Sequence, residues 1–278
     1  MPTLPMERQA FDNPPPDTPP RGLDVWRGEE TIIGRHRRIW AQKPALRRVY
    51  EGLFREILAS IPTGATVLEI GAGPAFLPPF ARRERQDLRW IASDLLPLGG
   101  VQLQADAVRL PLRDGSIGAI VAFDVLHHLV KPGAFFDEAA RVLRDDGRVV
   151  LLEPWISPFS VLVYRFLHHE ACSFSADPWR PFDADHSDGK AAFDGDLAVP
   201  WRLVRQTGAD DWARHGMRSP EVRLLNGLAY FLTRGFQPGS LVPRWAVGPL
   251  LAFDSVTAPL ARLSAVRARL TFTRLPRP

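Results

Sequence analysis

The sequence predicts an α/β fold: a mainly parallel sheet with helices on both faces. Three observations predict it. Short apolar runs that end at Gly or an acidic residue recur between residues 65 and 153. Stretches long enough for a helix separate them, some with apolar residues at three- and four-residue spacing. Strands that read as near-continuous apolar runs, joined by helix-length connections, are buried on both faces of a parallel sheet.

Residues 1–24 contain a proline cluster and few apolar residues, and predict an extended, poorly ordered arm. From about Glu29 to Ser60 the pattern is helical. Leu46, Val49, Tyr50, Leu53, Phe54, Ile57 and Leu58 share one face, and Pro62 and Gly64 stop the helix. Strands are expected at Ala65–Ile70, Leu88–Ser93, Val101–Ala105, Ile117–Phe123 and Arg148–Glu153. A helix over Gly133–Leu143 joins the last two. Right-handed crossovers place the carboxyl ends of all these strands on one edge. After Glu153 the rhythm breaks. Residues 154–206 carry aromatics, Asp, His and Pro, and are too long for an ordinary connection, so they read as a lid or binding insertion. A short helix at Thr207–His215, a strand at Pro220–Leu225, an apolar stretch at Leu241–Ala265 and a closing strand at Ala268–Thr273 follow. Residues 25–278 therefore read as a single domain with its core at 45–155.

Composition narrows the classes. The chain has 278 residues, 45% of them hydrophobic and 24% charged, which is globular composition. The single cysteine, Cys172, cannot form an intramolecular disulfide, and a reducing cytoplasm is the expected setting. No basic-then-apolar leader pattern opens the sequence. The formal charge is +4, concentrated at two places. Residues 212–278 hold ten Arg against two acids, and residues 31–56 hold six Arg and one Lys against two acids. An acidic substrate or an anionic membrane face would suit those regions.

The richest motif is Val67-Leu68-Glu69-Ile70-Gly71-Ala72-Gly73-Pro74-Ala75. Glycines after a buried strand allow a tight turn and close approach of a ligand to the backbone. The dinucleotide fingerprint G-x-G-x-x-G fails, because Phe76 stands where its third glycine belongs. Asp94 ends the second strand, near the spacing expected of a ribose-binding carboxylate. Further along stand Gln104-Ala105-Asp106-Ala107, Leu110–Ser116, Phe123-Asp124-Val125-Leu126-His127-His128 and Leu143–Arg148.

In this order and spacing the segments resemble the class I methyltransferases that use S-adenosylmethionine (SAM), specifically the small-molecule "type 11" domain. The resemblance implies a Rossmann-like sheet with an antiparallel last strand, and SAM as cofactor. It implies that Glu69, Gly71, Ala72 and Gly73 cradle the methionine part. Asp94 and Leu95 would meet the ribose, and Asp106 and Ala107 the adenine; Phe123 lines the same site. Two departures stand out: Ala75 replaces a usual glycine, and Gly118 replaces a usual Asp.

Methyl transfer is an in-line displacement with a neutral leaving group, so positioning dominates and a base is needed only for a protonated acceptor. His127 and His128 follow the fourth strand at the edge where open α/β sheets bind ligands. Both are candidate catalytic residues, with His128 the candidate base or orienting group. Packing beside the cofactor is the plainer role for both. His168, His169 and Glu170 are adjacent in sequence and cannot share a helix face, and Asp183, Asp185, His186 and Asp188 lack EF-hand spacing, so no metal site is expected.

The expected function is transfer of a methyl group from SAM to a small, lipophilic or lipid-like acceptor. The apolar residues of 154–182 and 228–253 would suit such an acceptor. Leu224–Phe236 and Leu241–Ala265, with Arg234, Arg244, Arg262 and Arg267, suit peripheral contact at the inner membrane face. No N-P-P-Y-like tetrapeptide follows the fourth strand, so nucleic-acid bases are disfavoured as partners. Two other readings stay open: a non-catalytic SAM-binding or membrane-associated scaffold, and a nicotinamide oxidoreductase, which lacks its Y-x-x-x-K pair.

Overall fold

The computed structural model describes residues 32–167, 171–182 and 194–277. The expected proline-rich arm, the His168–Glu170 triplet and the Asp183–Asp188 cluster lie outside the described residues.

The chain enters through α1 (Ile32–Gln42) and α2 (Pro44–Leu58). The sequence pattern suggests one helix here, but the structure has two. Pro44 disfavours helical backbone at Lys43, which lies at φ −122° and ψ 78°. Pro44 then opens α2 at its first turn, where no N–H is needed. The apolar face of α2 is buried as its spacing requires, with Leu46 and Ile57 fully enclosed.

The sheet has seven strands: β1 (Thr66–Ile70), β2 (Arg89–Asp94), β3 (Leu103–Gln104), β4 (Ile117–Phe123), β5 (Leu143–Pro154), β6 (Glu221–Leu225) and β7 (Arg267–Thr273). Their order is β3-β2-β1-β4-β5-β7-β6. β1 to β5 pair in parallel, and β7 runs antiparallel between β5 and β6. β3 is shorter than the Val101–Ala105 run suggests. β5 begins at Leu143 rather than Arg148, with a register slip against β4 that absorbs the Asp146–Gly147 turn. α3 (Leu77–Glu84) links β1 to β2, and α4 (Pro132–Val142) links β4 to β5.

Side chains alternate across the central strands, as the pleat demands. Val67, Ala119, Val121, Val150 and Leu152 face α2 and α3. Leu68, Ile120, Ala122, Val149 and Leu151 face the opposite layer with Phe135 and Phe136 of α4 and Trp212. Burial of each such side chain contributes roughly 1.5–3 kcal/mol. Gly118, the departure noted above, lies inside β4, where a Cβ would stand 3.0 Å from that of Ala65.

Beyond β5 come α5 (Pro158–Leu167), α6 (Val199–Gln206) and α7 (Ala209–Arg214). Arg202, fully buried, pairs with Asp196 at 2.5 Å and ties α6 to its preceding loop. Between β6 and β7 lie α8 (Leu228–Leu232), α9 (Val247–Val256) and the single turn α10 (Ala261–Ser264). Among the described residues no helix is long and apolar enough to cross a membrane.

Candidate cofactor and acceptor site

The chain runs outward from β1 through β2 to β3, then returns and runs the other way from β4. The carboxyl ends of β1 and β4 therefore flank the point where strand order reverses, the usual ligand crevice of such sheets. The loop after β1 is shaped for close approach. Gly71 and Gly73 have φ of +65° and +52°, and Ala75 has φ +59°. Ala75 thus holds the left-handed backbone that glycine adopts without strain, the position where the resembling family usually has glycine. A Cβ on Gly71 would stand 2.5 Å from Val125 Cγ2.

The end of β2 fixes this loop. Ala72 N donates to Ser93 O at 2.9 Å, and Ser93 Oγ donates to Glu69 O at 2.7 Å. Asp94 Oδ2 accepts from Gly73 N at 2.8 Å, and Oδ1 from Leu96 N at 3.0 Å. Asp94 therefore clamps the glycine loop through its own side chain, a link that spacing alone does not show. Leu95 beside it is exposed, and its carbonyl accepts from Gln104 Nε2.

Glu69 is buried within the sheet, where its Oε2 accepts from Trp90 Nε1 at 2.8 Å. Burial pushes its carboxyl up to about 8, against the opposing effect of the Trp90 bond, while the Asp94 charge adds to the rise. Burial also raises Asp94, opposed by its backbone bonds. Among the described residues neither carboxylate has a basic partner. Two desolvated acids beside a slim glycine loop fit a ligand that carries positive charge, as the sulfonium and ammonium groups of SAM do.

Asp106 is exposed, its Oδ1 accepting from Val108 N at 3.1 Å, and Ala107 is buried against the core. The following loop is pinned from α4: Arg141 donates to Leu110 O and Leu112 O, and Glu138 Oε1 accepts from Leu110 N.

Past β4 the backbone of Asp124 turns through φ +55°, a conformation unfavourable for a non-glycine residue and often found at functional sites. Its carboxylate pairs with Arg267, the first residue of β7. The Arg267 guanidinium lies 5.2 Å from the Phe123 ring centroid and 5.3 Å from that of Tyr230. Tyr50 of α2, itself buried, completes this half-buried group, its ring 5.3 Å from Phe123 and 6.2 Å from Tyr230. Trp40 stacks on Phe76 at 4.1 Å, so the residue that defeats the dinucleotide fingerprint joins an aromatic wall over the loop.

The two histidines sit on a short 3-10 turn, Leu126–His128, with ring centroids 4.1 Å apart. They differ sharply. His127 is buried, its Nδ1 2.6 Å from Glu153 Oε2 at the end of β5. Glu153 Oε1 also accepts from the backbone N–H of Val125 and Leu126. His128 is half-buried, with Nδ1 3.2 Å from Asp194 O of the post-β5 insertion. Asp124, His127 and Glu153 have ligand atoms within 4.8 Å of one another. Those of Asp124 and Glu153 are engaged by Arg267, by backbone N–H groups and by His127 itself.

Sequence reasoning missed Trp90, Asp124, Glu153 and Arg267 as parts of the site. Glu153 carried the same signal as Glu69 and Asp94, an acid at the end of a buried strand. Arg267, expected among the membrane-facing arginines, instead pairs with Asp124 inside the site; no local signal showed this, because its partner is 143 residues away in sequence. A cleft of about 410 Å3 among Asp114, Arg141, His215 and Arg274 lies at the opposite edge of the sheet, before β4 begins.

Comparison with known proteins agrees with this geometry. Residues 51–151 match the family described as "Methyltransferase domain". An uncharacterized methyltransferase of Mycobacterium sp. (strain JLS) is 30% identical over 134 residues, covering 45% of this chain and 53% of that protein. An uncharacterized 37.1 kDa protein in transposon TN4556 of Streptomyces fradiae is 34% identical over 122 residues, covering 38% of this chain and 35% of that one. The chain thus spans about half or less of the length of these relatives. Among solved structures, a chain from the complex of the Haloferax volcanii Trm112 methyltransferase activator with a methyltransferase superposes with a TM-score of 0.51 at 15% identity. That match covers 92% of this chain and 96% of the other. Residues 51–151 thus resemble a methyltransferase domain, and the sheet, with its reversed strand order and antiparallel β7, has the class I methyltransferase fold.

Proposed function

We propose that the protein transfers a methyl group from SAM to a small, apolar or lipid-like acceptor. In this reading residues 25–278 act as one domain and residues 154–206 as its lid. The observation that carries it is the Gly71–Gly73 loop, clamped by the half-buried Asp94 next to the buried Glu69, two carboxyl groups with no basic partner among the described residues. Bound SAM supplies an electrophilic methyl carbon and a neutral leaving group.

The protein's own residues bind and orient. The glycine loop would admit the cofactor's methionine part, and Asp94 would accept from its ribose hydroxyls. Asp106 and Ala107 would meet the adenine. The ring wall of Trp40, Tyr50, Phe123 and Tyr230 supports an apolar acceptor, held over the end of β4 and shielded from water. Glu153 fixes the His127 ring, and His127 backs His128, which orients the acceptor or takes its proton. A lipid-like acceptor would bring the protein to the inner membrane face, and peripheral contact through the C-terminal region belongs to the same reading.

Calorimetric titration of S-adenosylhomocysteine (SAH) and SAM tests the proposal. Micromolar binding by the wild type, weakened by about tenfold or more in Asp94→Ala, is the expected result. Absence of binding by folded wild-type protein would overturn it.

A further inference from the structure

The stretch 241–263 presents to solvent the kind of surface that soluble helices hide. Trp245 is 77% exposed and Val256 79%, and Phe253, Leu260 and Leu263 are exposed with them. Trp245, Pro249, Phe253, Val256, Leu260 and Leu263 recur every three or four residues, so they form one stripe along the successive short helices. The inner side of α9 is apolar too, with Val247, Leu250 and Leu251 packed on α2 and α8. A helix apolar all round belongs in a core or against another apolar medium. Among the described residues only one side has protein against it.

Charge identifies the medium. The exposed charged side chains of this stretch are Arg244 and Arg262. Its one acid, Asp254, turns inward, and its oxygens accept from Leu228 N and Ala229 N at 3.0 Å. Beside Trp245 lies a cleft of about 300 Å3 lined by Arg47, Arg48 and Arg244. Glu51 at its edge faces Arg83 at 3.6 Å. Arg48 lies against Gly248 of α9, and neither it nor Arg244 has an acidic partner among the described residues. A two-fold dimer across this stripe would set Arg against Arg. An anionic bilayer offers acyl chains to the stripe and phosphate oxygens to the cleft.

We infer that the α9–α10 stripe is a membrane-docking surface, in which the apolar side chains from Trp245 to Leu263 enter the interfacial layer. Arg48 and Arg244 take anionic headgroup phosphates at its edge. The inference rests on the peripheral-contact part of the proposed function and not on its cofactor. The stripe ends just before β7, whose first residue, Arg267, belongs to the acceptor end of the site. A lipid-like acceptor would therefore have a short path from the bilayer to the strand edge.

The test is flotation of the full chain with phosphatidylcholine vesicles, with and without phosphatidylglycerol, alongside SAH calorimetry. Binding to the anionic vesicles at low salt is expected, falling with salt. Trp245→Ser with Leu263→Ser, and separately Arg48→Ala with Arg244→Ala, should each weaken it roughly tenfold or more. Both pairs are exposed, and SAH affinity should not change. Flotation without SAH binding would support the surface while overturning the cofactor reading. Three outcomes would overturn the surface: no flotation by protein that binds SAH, flotation unchanged in both pairs, or a dimer that Trp245→Ser with Leu263→Ser dissociates while vesicle binding is absent.

Discussion

Glu69 and Asp94 are single residues whose environment sets their chemistry. Glu69 is desolvated and its oxygen accepts from Trp90, so the folded protein holds its proton up to about pH 8, against an ordinary carboxyl value of 4.5. A carboxyl raised on folding stabilises the protein fully below its unfolded value, and that contribution is lost as pH climbs toward the folded value. Stability of the ligand-free protein should therefore fall between about pH 4.5 and pH 8 on account of this group. Glu69→Gln keeps the acceptor for Trp90 and removes the titration. Urea denaturation across that window should show a flatter profile for the variant, by at least about 1.4 kcal/mol, the equivalent of one pH unit. Parallel profiles would remove Glu69 as the cause. Cofactor binding should run the other way. A cation beside Glu69 favours the carboxylate, so SAM binding near pH 7 should release a proton, visible as a dependence of the calorimetric heat on buffer ionisation enthalpy.

At the scale of elements, β1, its loop and β4 act as one device. The loop passes so close to Val125 that any branched side chain at Gly71 must displace it. Gly71→Val should abolish SAH binding while far-ultraviolet circular dichroism stays native; retained binding would mean that the loop is not the cradle. The strands beneath contribute differently. Ile120 of β4 is fully enclosed, and Ile120→Ala should cost roughly 2–5 kcal/mol in chemical denaturation, with SAH affinity unchanged in the protein that remains folded. The lid side meets the same device through His128 and Asp194 O. Shortening the 194–198 loop should thus raise KM for the acceptor more than it alters SAH affinity.

For the whole molecule, ligand binding and stability are linked. SAH at about 100 times its Kd should stabilise the fold by about 2.7 kcal/mol and raise Tm accordingly. NADH should leave Tm unmoved, because Phe76, stacked on Trp40, stands where the dinucleotide fingerprint needs a glycine for close helix–strand packing. A shift with NADH alone would favour the oxidoreductase reading.

Most strands, the glycine loop and the acids at strand ends are legible in the residue order. These follow from local rules: period-2 burial, glycine where the backbone must turn tightly, and proline at a helix's first turn. Ile117–Phe123 is a strand with the predicted bounds because its apolar run is buried on both faces. The helix over 29–60 was legible as apolar spacing, yet its break at Lys43–Pro44 was lost in that regular pattern. The partners came from long-range packing. It paired Asp124 with Arg267, His127 with Glu153, Glu69 with Trp90 and Asp94 with the glycine loop itself. It also turned the apolar stripe from Trp245 to Leu263 outward rather than into the core. Periodicity says that residues share a face, whereas the packing of distant elements decides what that face meets.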